Sequence, residues 1–342
     1  MSILHQDITL KSLGVKRIDP LAGKNEIIRL NRMCSSSNEE QLTDYGGQKR
    51  QGDHFWLFEP RTKEEAVLGL TRASQLNLDV TIRGSGHSMN GSSIPKKNGL
   101  LLLTTSMTKV VLNSDSKIEA EAGAQLVVVD DYIRQFGLKL PIVNDGGHPA
   151  PTVGGFICAG GFGVCSKDYG GFWNHIRSLE YWTPRDGVRC ITQEAKEFWQ
   201  ICASGKPEGV ILSASLMTLG QYTGTRLEAT LQFKYVVHPN RIWFTFIAPI
   251  KKSASLRRAL IRLDRDLRQY WEGLPPYEYM IKSQGRGTPD GFYPEHDGSL
   301  AAMGVWGEVT TKTSHNIDAI MERVNTFTNR ERYAKRYWQS EL

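Results

Sequence analysis

Two glycine-rich segments carry the residue types best suited to hold a phosphorylated cofactor. The first, Gly84-Ser-Gly-His-Ser88, follows Asp79–Arg83, whose apolar pattern predicts a buried strand. Two glycines separated by one residue let the backbone turn tightly and present successive N–H groups, and such a nest binds phosphate oxygens. The side chains of Ser85, Ser88 and Asn90 add donors. A third glycine and a following helix are missing, so the pattern is not a Rossmann fingerprint.

The second segment, residues 144–171, contains nine glycines. They are too frequent for a regular element, and the Ala, Phe, Val and Ile between them are unlike a flexible linker. The composition predicts a packed loop whose backbone closely approaches a ligand. A cofactor with a pyrophosphate and a flat ring system needs such a groove.

Short strands and helices must position these segments. Thr62 and Glu65 have the spacing of a capping box and predict a helix start after a strand near Phe55. Gly137 predicts the end of a helix over 126–136. The same reasoning predicts strands over 100–103, 117–122, 176–182, 188–192 and 209–219, and a helix over 194–202. Residues 1–53 are weakly patterned and predict a loose arm.

The pattern changes after residues 220–225. A strand over 243–250, a helix with a leucine stripe, strands near 277–282 and 301–309, and a second helix give a β-α-β-β-α order. This order predicts a separate α+β unit. We therefore expect an arm (1–53), a cofactor-binding domain (54–222) and a smaller cap (223–342).

Composition narrows the class of protein. The chain has 342 residues and a net charge of +6, too diffuse to indicate nucleic acid binding. No run approaches the roughly 18 apolar residues of a membrane span, and the first residues lack the pattern of a signal peptide. Five cysteines without CxxC spacing indicate reduced thiols and a cytoplasmic location, and no zinc-type spacing occurs, so no metal is expected.

From Phe55 to Leu219 the chain resembles the FAD-binding domain of the vanillyl-alcohol-oxidase superfamily, also called the PCMH type. The landmarks are the Phe-Glu-Pro strand with its Thr-Lys-Glu-Glu helix, the RGSGHS loop, the TVGG to YGG segment, and Gly209-Val-Ile-Leu. Within the superfamily it most resembles cytokinin dehydrogenase and related FAD-linked oxidases. Gly171–Arg177 also resembles the decaprenylphosphoryl-ribose oxidase branch. The resemblance implies an α+β, two-subdomain FAD-binding fold with a smaller C-terminal α+β cap, ferredoxin-like and short for the family.

The resemblance implies FAD as cofactor, with residues 84–88 around its pyrophosphate. His87 would be bonded to the 8α-methyl of the isoalloxazine; the alternative is a histidine that only hydrogen-bonds the cofactor. Ala150 stands where some relatives have a second linking cysteine, so one tether is expected. The expected cofactor contacts are Arg83, Gly84, Ser85, Gly86, His87, Ser88, Asn90, Thr152, Val153, Gly154, Gly155, Gly160, Gly161, Gly163 and Ile211.

Two residues are candidates for the catalytic base. Cytokinin dehydrogenases have an aspartate a few residues before TVGG; here Asp145 is near that place, although further from Thr152 than in the family. His148 lies closer to the expected position. Either could take a proton from the substrate. The alternative for both is a structural role in the turn around Gly146.

The implied reaction is oxidation of a C–N or C–O carbon of a small molecule, with oxygen or another acceptor reoxidising the flavin. We favour a cytokinin-dehydrogenase-like amine oxidation over an alcohol or sugar oxidase. A different class of function is a non-catalytic flavin-binding or assembly subunit. The cap has room for about half of the family's usual sheet, so either it is reduced or a second copy or partner completes it.

Overall fold

The computed structural model describes residues 10–19, 23–32, 41–43, 49–50, 53–88, 91–113, 117–142, 150–161, 171–202, 208–219, 241–249, 252–281, 300–308 and 310–331. The strands are β1 (Lys16–Ile18), β2 (Leu42–Thr43), β3 (Lys49–Arg50), β4 (Phe55–Phe58), β5 (Val80–Arg83), β6 (Leu100–Leu103), β7 (Val110–Leu112), β8 (Lys117–Glu121), β9 (Ile176–Thr183), β10 (Gly187–Thr192), β11 (Val210–Met217), β12 (Arg241–Pro249), β13 (Glu272–Ile281) and β14 (Leu300–Glu308). The α-helices are α1 (Lys24–Arg32), α2 (Lys63–Gln75), α3 (Leu126–Arg134), α4 (Val153–Cys158), α5 (Lys196–Cys202), α6 (Ser253–Leu267), α7 (Thr311–His315) and α8 (Ile317–Glu331).

The first sheet has the order β1-β4-β6-β5, with β4, β6 and β5 parallel and β1 antiparallel to β4. Its central strand β6 is a continuous run of four buried leucines because helices cover both faces. Leu100 and Leu102 pack with the buried face of α2, whereas Leu101 and Leu103 pack with α1. As the sequence predicts, Thr62 caps α2, and its Oγ1 accepts a hydrogen bond from the Glu65 N–H at 3.2 Å.

The N-terminal segment differs from the predicted loose arm. Strand β1 pairs with β4, and Ile27 and Leu30 of α1 are buried against Leu101 and Leu103. Leu10 is fully buried with residues of α2. The apolar residues of α1 are buried only because this helix covers one face of the first sheet. The sequence pattern does not show which sheet face a helix covers, so it did not predict that this segment is packed.

The second sheet is antiparallel, with the order β10-β9-β11-β8-β7. One of its faces packs against α3, α4 and α5 in a single apolar core. On the other face, Trp182, Val210 and Leu212 join the core formed by α2 and the first sheet. The two sheets are thus two layers of one domain, and the elements predicted over 55–219 lie close to their expected bounds.

The glycine-dense segment contains a helix that the sequence analysis did not predict. Residues Val153–Cys158 form α4, which includes Gly154 and Gly155. Glycine is a poor helix former, so this composition argued against a regular element. The helix forms nevertheless, and its glycines allow a close tertiary contact. A Cβ on Gly154 would lie 2.9 Å from the Cβ of Ala122, which is too close. The helix can sit this close to β8 only with glycine there.

The C-terminal unit follows the predicted β-α-β-β-α order, with the short α7 added before α8. Its sheet has the order β12-β14-β13 and is antiparallel. The core of the unit contains Trp271, Phe244 and Phe246 together with the leucine stripe of α6 and Ile320 and Val324 of α8. The ferredoxin-like description and the role as substrate cap stay predictions. Across the described residues, no helix combines the length and apolar character needed to cross a membrane.

Candidate cofactor site

The Gly84–Ser88 loop begins where the parallel strand β5 ends. The Arg83 carbonyl accepts a hydrogen bond from the Thr104 hydroxyl at 3.4 Å, which fixes the strand end beside β6. Gly86 has φ +74°, in the left-handed region that favours glycine. A left-handed residue within a turn aims neighbouring N–H groups into one concavity, so this backbone suits an anion.

The two predicted glycine-rich segments meet in the structure. The Ser85 hydroxyl donates to the Ala150 carbonyl at 2.7 Å. A Cβ on Gly84 would lie 2.3 Å from Oγ1 of Thr152, closer than atoms can pack. The first loop and the described start of the second segment are therefore in direct contact, as a shared cofactor site requires.

Thr152 also holds the first turn of α4. The Gly155 N–H donates to Thr152 Oγ1 at 3.3 Å, and the hydroxyl thereby caps the helix. The N–H groups of Val153 and Gly154 donate to the carbonyls of Ala124 and Ala122 at 2.8 and 2.9 Å. The turn after β8 thus fixes the first residues of α4 through two backbone hydrogen bonds.

This turn, Ala122-Gly-Ala124, is not among the site residues predicted from the sequence. A Cβ on Gly123 would lie 1.7 Å from the Thr104 carbonyl oxygen, so the turn packs on the backbone that follows β6. The signal was present as three consecutive small residues at the end of a predicted strand. Such a run marks a close backbone approach in the same way as the glycines of the two segments.

Glycines also shape the end of the second segment. Gly160 and Gly161 have φ +87° and +60°. A Cβ on Gly161 would lie 2.4 Å from the Cβ of Phe172, and the Phe172 N–H donates to the Gly161 carbonyl at 2.8 Å. Phe172 and Trp173 are buried in the core of the second sheet. These glycines let the chain turn against the core.

Burial sorts the described members of the predicted cofactor set into two groups. Gly84, His87 and Ser88 are half-buried and Gly155 is exposed, so these four present surface that a ligand can contact. The Ser88 hydroxyl is also hydrogen-bonded to Ser92 Oγ at 2.8 Å, which braces the loop. The buried group is Arg83, Ser85, Gly86, Thr152, Val153, Gly154, Gly160, Gly161 and Ile211.

For two of the buried residues, the side chain serves the protein rather than a cofactor. The Arg83 side chain is completely buried and donates to the carbonyls of Leu30 and Thr43 and to Ser93. Ile211 is buried in the core beside the second sheet. Arg83 was expected among the cofactor contacts. Its buried guanidinium is bonded to protein atoms and has no surface for a ligand, whereas a contact through its backbone stays a prediction. A contact of the cofactor with Ile211 stays a prediction.

Four predicted site residues lie outside the described residues. They are the two candidate bases, Asp145 and His148, and the cofactor contacts Asn90 and Gly163. Their roles stay predictions. Among the residues that are described, no cluster of three or more His, Cys, Asp or Glu could hold a metal ion.

Burial raises the pKa values of two cysteine thiols, one in α4 and one in α5. It raises the pKa of the Cys158 thiol to about 12, and it raises the pKa of Cys202 as well. Burial also raises the pKa of Tyr181, which lies in the same core. A thiol with such a pKa is protonated at neutral pH, so neither cysteine is suited to act as a nucleophile.

The described residues fit FAD. Gly86, a left-handed glycine in a loop after a parallel strand, lets that loop offer N–H groups to a diphosphate. Gly155 in α4 is exposed and has no side chain, so a cofactor can approach the helix backbone there. His87 is half-buried within the same loop. The cradle is built from backbone, which suits the diphosphate and flat rings of a dinucleotide better than a small polar metabolite.

Comparison with known proteins agrees with this fit. Residues 56–191 match the family of FAD-binding domains. The chain is 31% identical over 132 residues to a D-lactate dehydrogenase of Archaeoglobus fulgidus, covering 38% of this chain and 29% of that protein. It is 28% identical over 159 residues to the decaprenylphosphoryl-beta-D-ribose oxidase of Mycolicibacterium smegmatis, covering 45% and 34%. It is 25% identical over 187 residues to the FAD-dependent monooxygenase prx3 of Penicillium roqueforti, covering 54% and 36%.

The similarity is confined to part of each protein. The chain spans about a third of the length of these relatives, between 29% and 36%. The matched residues run from within β4 to within β10 and include both glycine-rich segments.

Proposed function

Since residues 56–191 belong to the FAD-binding domain of the PCMH-type, or vanillyl-alcohol-oxidase, superfamily of FAD-linked oxidoreductases, we propose that this chain is an FAD-dependent oxidoreductase acting on a small molecule. The observation that carries the proposal is the contact of Gly84 with Thr152, which joins two backbone segments into one cradle. When bound, FAD supplies the capacity to accept a hydride, and the protein supplies position and electrostatics.

The described residues would hold the cofactor in a defined way. The N–H groups around Gly86 would bind the diphosphate, and Gly155 would let the cofactor approach α4. Ser85 and Thr152 would keep the two segments in register, through the Ser85 bond to Ala150 and the cap of α4. These contacts are made within the protein, so the part of the cradle that they hold does not have to be ordered by FAD.

We propose a carbon bearing a hydroxyl group as the preferred substrate centre. Two relatives are named for such substrates: a D-lactate dehydrogenase and an oxidase of a ribose derivative. Gly171–Arg177, which resembles the ribose-oxidase branch, includes the buried Phe172 and Trp173. Oxidation at a carbon next to nitrogen, as in cytokinin dehydrogenase, is the second candidate and rests on the resemblance of the glycine-rich loops. Oxygen or another acceptor would then reoxidise the flavin.

The experiment is reduction of the purified yellow protein under anaerobic conditions in a stopped-flow spectrometer. Separate reactions would contain 2-hydroxy acids, aldose sugars and secondary amines, with bleaching of the flavin band as the readout. We expect hydroxy acids or sugars to bleach the flavin. Bleaching by amines alone would support the second candidate. A yellow protein that none of these bleaches would indicate a flavin-binding subunit, and a protein that takes up no FAD would overturn the proposal.

A further inference from the structure

The buried Arg83 side chain connects three parts of the chain to the start of the cofactor loop. One terminal nitrogen donates to the carbonyls of Leu30, at 3.2 Å, and Thr43, at 2.8 Å. The other donates to the carbonyl of Ser93 at 3.2 Å and to its hydroxyl at 3.4 Å. A guanidinium can serve acceptors in several directions at once because its five N–H donors lie in a rigid plane.

The contact with Ser93 closes the cofactor loop. Arg83 is the last residue of β5 and directly precedes Gly84, whereas Ser93 lies five residues after Ser88. One side chain therefore ties together the two ends of the segment between them. Inside that segment, the Ser92 N–H donates to Ser88 Oγ at 3.1 Å, which braces the loop a second time.

The other acceptors of Arg83 are fixed by a buried asparagine. The Asn31 amide donates to the Gln41 carbonyl at 2.7 Å, and its oxygen accepts from the Thr43 N–H at 2.8 Å. Asn31 is fully buried and follows Leu30 in α1. It thereby holds α1 and β2 in the arrangement in which the carbonyls of Leu30 and Thr43 both face Arg83.

We propose that Arg83 is a positioning residue for the flavin site and that α1 and β2 are working parts of that site, although they precede the matched FAD-binding domain. The guanidinium holds the Gly84–Ser88 loop in its anion-binding shape by binding Ser93, further along the chain, and by anchoring the near end of the loop to α1 and β2. The inference rests on the proposed binding of FAD by this domain. It differs from a cofactor contact because Arg83 acts through the loop backbone.

The test uses the full chain in a His87→Ala background, so that FAD can be exchanged. Arg83→Lys retains the positive charge, but a single ammonium group cannot bind Leu30, Thr43 and Ser93 at the same time. We expect FAD to dissociate about ten- to hundredfold more readily, in keeping with the sensitivity of a bound ligand to small displacements of its site. Riboflavin, which lacks the diphosphate, should bind the variant and its parent equally. That difference is a readout that a general loss of stability would not produce.

Two further variants make the test decisive. Asn31→Ala should weaken FAD binding in the same direction, although residue 31 is distant in sequence from the loop. Leu70→Ala, a buried position in α2, is the control for an equal loss of stability and should leave FAD affinity unchanged. The inference is overturned if Arg83→Lys or Asn31→Ala binds FAD as tightly as the parent, or if Leu70→Ala weakens binding equally. A parent protein that binds no FAD would instead overturn the proposed function.

Discussion

Gly84 and Thr152 are in such close contact that a Cβ on Gly84 would lie 2.3 Å from Oγ1 of Thr152 and 3.0 Å from its Cγ2. The contact brings the loop after β5 against the cap of α4. Because the atom on the other side is the hydroxyl that caps a helix, neither partner can move without disturbing the other segment.

Gly84→Ala should therefore separate the two segments. We expect a loss of stability of about 1–3 kcal/mol, the usual cost of forcing extra atoms into a packed contact, together with weaker FAD binding. Urea denaturation and fluorescence titration with FAD would measure the two effects. Replacing Thr152 by Ala in the same protein should recover part of the FAD affinity.

Gly187→Ala is the matched control for this prediction. Gly187 has φ +66°, so alanine there is strained, but no atom would lie within 4 Å of the new Cβ. It lies in the hairpin between β9 and β10. We expect a stability loss of roughly 1–2 kcal/mol for the strained backbone without any change in FAD affinity. An equal effect of both variants on FAD binding would contradict a specific role for the Gly84 contact.

His87→Ala tests the proposed covalent tether. The wild-type protein should remain yellow after acid precipitation, whereas the flavin of the variant should pass into the supernatant. The variant should still bind FAD, because the backbone cradle around Gly86 and Gly155 is unchanged. His175, half-buried beyond the second segment, offers a matched histidine control, and His175→Ala should retain its flavin in the pellet. Free flavin in acid-treated wild-type protein would show that His87 only contacts the cofactor.

The Lys63–Glu180 ion pair is predicted to contribute to the contact between the two layers. Lys63 in α2 pairs with Glu180 in β9, and the Ser213 hydroxyl of β11 donates to the same carboxylate at 2.8 Å. The side chains of Lys63 and Glu180 are 30% and 33% exposed, so solvent screens the pair. A double-mutant cycle with Lys63→Met and Glu180→Gln should give a coupling energy of about 0.5–1 kcal/mol that falls with added salt.

The pair of Lys96 with Asp79 provides the comparison. These side chains are 65% and 61% exposed, roughly twice as much as those of the first pair. The same cycle on Lys96 and Asp79 should give a coupling energy close to zero. Equal coupling energies for both pairs would mean that partial burial of Lys63 and Glu180 adds nothing to their interaction.

The partly buried Cys158, which packs against the core of the second sheet, predicts a loss of stability at alkaline pH. Burial raises the pKa of this thiol from its ordinary value of 9.0 to about 12. Between these values the unfolded chain releases the proton and the folded chain keeps it, so stability is present below pH 9 and falls as pH rises toward 12. One such group contributes a slope of at most about 1.4 kcal/mol per pH unit.

Urea denaturation at pH 8, 9.5 and 10.5 would measure that slope. Cys158→Ala should have the smaller slope, whatever its stability at pH 8. The stability of this variant should still fall to some extent with rising pH, because burial also raises the pKa of Cys202 and Tyr181. At pH 8 a thiol reagent should modify the exposed Cys190 and leave Cys158 unmodified in the folded protein. Identical slopes, or rapid modification of Cys158, would contradict this account.

The sequence by itself determined most of the elements and the chemistry of the cofactor loop. Apolar runs and caps are local signals, so the strand ending at Arg83, the Thr62 cap and the helix end at Gly137 were all predictable. Glycine spacing likewise predicted a close backbone approach, which Gly84 makes to Thr152; the approach to a ligand stays a prediction. The resemblance to FAD-linked oxidoreductases rests on the same short runs, which are contiguous in the chain.

Only the tertiary structure decided how these parts act on one another. Arg83 donates hydrogen bonds to Leu30, Thr43 and Ser93, which come from three separate segments. No local sequence pattern could therefore distinguish a buried arginine that binds backbone carbonyls from one that binds a phosphate. Helix α4 forms despite its glycines because a close contact with Ala122 outweighs helix propensity. Contacts between distant segments are set by the packing of whole layers, and that packing makes the N-terminal segment part of the cofactor domain.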